Sequence, residues 1–63
     1  MDIDIADNVT RAARNLITQH GTASESIALA RAKSADQSGR LEVAHTWRDI
    51  ADAVREMQRR RDH

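Results

Sequence analysis

The 63-residue chain has no proline and only two glycines, Gly21 and Gly39, and this sparse punctuation limits its fold more than any other feature. Proline breaks a helix interior and glycine weakens it. The sequence therefore offers three uninterrupted stretches, each of about 20 residues. None alternates apolar and polar side chains with a period of two. β-Branched clusters are missing, and Trp47 is the sole aromatic residue. Strands are thereby disfavoured, and an all-α chain is expected.

In the first stretch Ile5, Val9, Ala12, Leu16 and His20 recur at steps of four, three, four and four. Ala13 and Ile17 widen that stripe into one apolar face. Asp4 suits the first-turn amides, Asp7 adds charge favourable at a helix start, and Gly21 suits the left-handed closing position. The second stretch opens Thr22-Ala23-Ser24-Glu25, the spacing of a capping box, with Ser24 as a competing cap. Its large apolar residues are only Ile27 and Leu29; alanines supply the rest. In the third stretch Val43, Trp47, Ile50, Val54 and Met57 form a heptad seam, flanked by Ala44 and Ala51. Arg48 with Asp52, and Glu56 with Arg60, have the four-residue spacing of helical ion pairs. The expected helices are about 4–20, 22–38 and 40–60, in one domain over residues 1–63. Short links imply antiparallel neighbours, hence a three-helix bundle. A helical hairpin with a displaced N-terminal helix is the competing arrangement.

Composition removes several functions. Without cysteine there is no disulfide scaffold, no thiolate zinc site and no Cys nucleophile. No apolar run approaches the roughly 20 residues of a membrane span. The opening MDIDIADN is acidic, unlike the basic start of a secretory signal, so the expected compartment is the cytoplasm. The serines have no Gly-x-Ser-x-Gly context and no glycine-rich phosphate loop occurs. A bundle this small also has little room for an enclosed pocket. The expectation is a non-enzymatic protein without catalytic residues or cofactor. His45 and Asp49 lie four apart, but zinc needs three or four ligands, and His20 and His63 are distant in sequence. No metal is expected.

The apolar content directs attention to a partner. Hydrophobic residues make up 40% of the chain, but 11 of those 25 are alanine. Domains of this size with so few large apolar side chains commonly use a second subunit. The sequence therefore predicts a homodimer, or docking on a larger protein, through Val43, Trp47, Ile50, Val54 and Met57, with Ile5, Val9 and Leu16 completing the core. Trp47, central in the best seam, is of the type most enriched at binding hot spots. Ten basic and ten acidic residues balance to zero net charge. The charges still separate, Asp2, Asp4 and Asp7 at one end and Arg55 with Arg59 to Arg61 at the other. Two antiparallel copies would bring acid to base.

Nucleic-acid association is the alternative reading, with Arg11, Arg14, Arg59, Arg60 and Arg61 as footholds. Against it, phosphate binding demands several cations on one face. Helices one and two superficially resemble a helix-turn-helix, with Gly21 in the turn and Ile27 apolar six residues later. Ile17, however, stands where a small residue is wanted. Thr22 to Ser26 lead the second helix with an acid and no cation.

Two resemblances follow from these residues. Gly39 to Trp47, with Ala44 against the preceding helix and Trp47 three residues on, is locally similar to one tetratricopeptide-type hairpin. Over about residues 11–58, Leu16-Ile17, His20-Gly21, Ala28, Arg31-Ala32, Gly39, Ala44, Trp47, Ile50, Ala53 and Met57-Gln58 resemble a group of short uncharacterised helical proteins of alphaproteobacteria. The pattern departs at Ser38-Gly39-Arg40, where that group has Gly-Asp. The resemblance implies a helical fold and brings no activity with it.

Overall fold

The computed structural model describes residues 5–61, with side-chain surroundings for residues 8–60. Helix α1 spans Ile5–His20, a 3-10 turn covers Gly21–Ala23, α2 spans Ser24–Gln37 and α3 spans Leu41–Arg61. Among the described residues the chain is all-helical, and helix boundaries fall within two residues of those expected. The proposed cap at Asp4 and the terminal His63 lie outside the described residues, as do the side chains of Ile5, Asp7 and Arg61.

The junction at Gly21 differs from the sequence expectation. Residues 5–37 are helical or 3-10 throughout, so α1 and α2 are arms of one long helix with a bend. Gly21 has the expected left-handed backbone, with φ of 58°. A Cβ there would meet nothing within 4 Å, so glycine serves conformation and not space. The capping box does not form. Ala23 occupies the position before α2 and no side chain caps it. The first amide of α2 needs no such cap, because the preceding turn supplies a carbonyl: the Ser24 N–H donates to Gly21 O.

Ser24 itself is fully buried and turned back toward α1. Its Oγ lies 3.0 Å from Leu16 O and 2.6 Å from Gly21 O. The amide of Gln58, near the end of α3, donates to the same Gly21 carbonyl at 3.0 Å. Three donors thus converge on Gly21 O, which has two lone pairs. Leu16 O is then the natural second acceptor for the Ser24 hydroxyl. The bend is held by α1, α2 and α3 together.

At the other end α2 stops at Gly39, whose φ is 77°. The Gly39 N–H donates to Asp36 O at 3.1 Å and the Arg40 N–H to Ala35 O at 2.8 Å. These are the paired bonds of a Schellman helix end. The Ala44 N–H then donates to Arg40 O at 2.9 Å, which starts α3. The chain reverses within three residues, so α2 and α3 lie antiparallel.

Small side chains determine how these helices pack. The buried face of α2 consists of Ser24, Ala28, Ala32 and Ala35. Against it α3 buries Ala44, Ile50, Ala51 and Val54, and α1 adds Ala13 and Leu16. Helix α3 packs most extensively on α2 and next on α1, while α1 and α2 touch little beyond the bend. Among the described residues six of the nine buried apolar ones are alanine; only Leu16, Ile50 and Val54 are larger. The molecule measures 38 × 32 × 17 Å, and its thin dimension is under two helix diameters of about 10–12 Å. Among the described residues there is no inner layer in which a larger core could grow.

The expected ion pairs within α3 are replaced by pairs between helices. Arg48 meets Asp36 of α2 at 3.6 Å, and Arg55 meets Glu25 of α2 at 2.9 Å. Among the described residues neither Arg48–Asp52 nor Glu56–Arg60 comes within 4.0 Å. The alanine faces bring α2 close enough for both arginines to reach across.

Leucine in place of a contact alanine should separate these helices. Ala44→Leu is expected to cost about 1–3 kcal/mol through overpacking, whereas Ala30→Leu, at an exposed site, should change stability by less than about 0.5 kcal/mol. Urea unfolding of both variants, followed by circular dichroism, measures the difference.

Candidate functional site

The seam of α3 is the natural place to look for a contact surface, and the structure divides it. Ile50 and Val54 are buried in the chain's own core with Ala13, Leu16, Ala28 and Ala51. Trp47 and Met57 are half-buried against that cluster. Val43 is 43% exposed. This gradient follows the course of α1, whose core residues Ala13 and Leu16 join α3 from Ile50 onward. Val43, nearer the hairpin turn, is not among the residues packed on that cluster.

The two flanks of the α2–α3 pair differ in chemistry. Glu25 and Asp36, three helical turns apart, lie on one flank of α2, where they meet Arg55 and Arg48. The Arg55 guanidinium donates from Nε and Nη2 to the same Glu25 oxygen, at 3.2 and 2.9 Å. That hydrogen bond and then the carboxylate's charge raise the Arg55 pKa still further above its ordinary value. Arg55 therefore keeps its charge at any pH the fold meets.

On the other flank Arg31 of α2 lies over Trp47, its guanidinium carbon 5.0 Å from the ring centroid. This cation–π contact covers part of the only aromatic ring with a charge that stays hydrated at its edge. Among the described residues Arg31 has no carboxylate within 4.0 Å. The sequence alone does not pair Arg31 with Trp47, because the two lie 16 positions apart on different helices. The i, i+4, i+8 spacing of Ser24, Ala28 and Ala32 did carry a signal: a small polar residue continuing an alanine stripe is placed for burial.

Where α1 crosses the second half of α3, a shallow groove of about 280 Å³ opens. Thr10 and Arg14 of α1 line it with Ala53, Glu56, Met57 and Arg60 of α3. Two of the five candidate arginines, Arg14 and Arg60, are thus brought together. Arg11 and Arg59 are exposed but do not line the groove, and the side chain of Arg61 lies outside the described residues. Glu56 adds an acid to the same lining. Leu29 and Leu41 are 45% and 61% exposed, further apolar surface that the seam did not include.

His45 and Asp49 are both exposed. Among the described residues no group of three or more His, Cys, Asp or Glu could hold a metal ion. No helix among them is long and apolar enough to cross a membrane.

Removing the guanidinium from the ring should be visible directly, because Trp47 is the only fluorophore of its kind. Arg31→Gln is expected to shift Trp47 emission to longer wavelength as water reaches the ring. It should also lower stability by about 0.5–1 kcal/mol, the usual worth of an exposed cation–π pair. Fluorescence spectra and urea titration test both effects. Comparison of the chain with protein-family models, curated proteins and solved structures gives no match.

Proposed function

We propose that this chain is a small non-enzymatic interaction module that works by associating with itself through an apolar helix face. Its three helices form a minimal bundle, and the contact face is the α3 seam of Val43, Trp47, Ile50, Val54 and Met57. One observation carries the reading: among the described residues only three of the nine buried apolar side chains are larger than alanine, while Trp47, Met57, Val43, Leu29 and Leu41 keep exposed surface. A chain that buries so little by itself gains stability by covering the remainder with a second copy. A larger protein offering a complementary apolar surface is the other occupant of that face. The resemblance to short alphaproteobacterial helical proteins bears on the helical fold alone, and the expected compartment is the cytoplasm.

A nucleic-acid reading draws on Arg14 and Arg60, which α1 and α3 carry to one groove. Zero net charge and the presence of Glu56 weigh against it. Counterion release from nucleic acid scales with the number of phosphates neutralised, and two arginines neutralise few.

Equilibrium sedimentation over a wide concentration range should reveal a species of twice the chain mass. Trp47→Ala should abolish association or folding, and Val43→Lys should weaken association while leaving the helical signal unchanged. A monomer at every concentration overturns the reading. Fluorescence anisotropy with a labelled DNA duplex tests the alternative. It predicts binding that weakens steeply with salt and is lost in Arg14→Gln/Arg60→Gln.

A further inference from the structure

The bend at Gly21 joins two helical arms that scarcely touch, and the first arm gains its packing from α3. Residues 5–37 have helical or 3-10 backbone throughout, and only Gly21 has a positive φ among them. Rotation at this one residue, with small adjustments at His20 and Ala23, would merge α1 and α2 into a single straight helix of 33 residues. Its α1 arm would then leave its own α3. The vacated face holds Ile50, Ala53, Val54 and Met57, and the surface that fits it is α1 itself.

We propose that the self-association inferred above takes place by exchange of α1, with α1 of a second copy occupying the face of α3 that the chain's own α1 covers here. This rests on the self-association reading and names its partner surface. It also explains how Ile50 and Val54 belong to the contact face although each is buried in the single chain. What buries them is transferable. Exchange of an identical element re-forms the same contacts, so its cost is confined to the hinge.

The hinge holds the opposing interactions. In the bent form Gly21 O receives the Ser24 N–H, with the Ser24 hydroxyl at 2.6 Å and the Gln58 amide at 3.0 Å. In a straight helix the Glu25 N–H would take that carbonyl by the regular i to i−4 bond. The 3.0 Å contact between Ser24 Oγ and Leu16 O exists only in the bend. Residues eight apart in a straight helix are about 12 Å distant. Gly21 tips the balance because a left-handed backbone is easy for glycine and strained for alanine.

The absence of cysteine makes the test direct. Thr10 and Ala53 line the same α1–α3 groove, so Thr10→Cys/Ala53→Cys with a short bis-maleimide joins α1 to whichever α3 it packs against. On the Gly21 background at low concentration the product should be an internally linked monomer. In Gly21→Ala it should be a covalent dimer. The dissociation constant should fall by at least about a hundredfold, since both chains escape left-handed strain and gain helix propensity. Gly21→Asn, which tolerates the left-handed region, should stay near the parent.

Only intrachain links in folded Gly21→Ala overturn the exchange. Should that variant not fold, the parent pair at millimolar concentration decides: interchain links support exchange, and intrachain links alone overturn it. Sedimentation of the same samples separates the two readings. Dimers carrying only intrachain links end the exchange and leave self-association standing, whereas monomers throughout end both.

Discussion

The close approach of α2 and α3 across their alanines is the constraint on which the rest depends. Dispersion between packed side chains falls away within a fraction of an ångström, so faces built from methyl groups gain only when backbones come near. Ser24, Ala28, Ala32 and Ala35 allow that approach. The same closeness lets Arg55 and Arg48 span to Glu25 and Asp36 and seats Arg31 on Trp47. None of these pairs is deeply buried, and exposed ion pairs contribute little to stability. They act chiefly on register. Slipping α3 along α2 by one turn would break both ion pairs and the cation–π contact together, while the alanine faces themselves would barely resist.

This economy leaves α1 with an unusual part. The alanine contact is almost complete without it, but Ile50 and Val54 would then face water. Helix α1 supplies Leu16, among the described residues the one large core side chain outside α3, together with the partly buried Val9 and Ile17. It is therefore essential to the core while attached to α2 by little more than the bend. An element with large packing value and a short hinge is the kind that can serve either its own chain or a neighbour.

The helices were readable because helix punctuation is local. Gly21 and Gly39 close α1 and α2 with the left-handed backbone that their positions suggest, and a four-and-three spacing marks a helix face whatever it packs against. The junction after Gly21 was less legible. A Thr-x-x-Glu spacing favours a helix start only where amides lack partners; here the 3-10 turn supplies the carbonyl, and Glu25 is drawn to Arg55 instead. Arg48 shows the same limit. Its neighbour Asp52 is four residues on, but Asp36 of α2 is what it meets. Local pairing rules hold for isolated helices and yield where another helix lies close.

The α3 seam was legible as a stripe and not as a surface. Val43, Trp47, Ile50, Val54 and Met57 share one side of α3, yet their exposure ranges from 43% at Val43 to none at Val54. Periodicity tells which side of a helix is apolar; it does not tell how far along that side a second helix extends. The extent here is set by the bend, because the angle at Gly21 decides which turns of α3 the α1 arm can cross. With the chain bent, α1 covers the turns from Ile50 onward and leaves Val43 bare. A residue without a side chain, placed 22 positions before Val43, thus decides how much of the α3 seam a single chain can bury and how much is left for another.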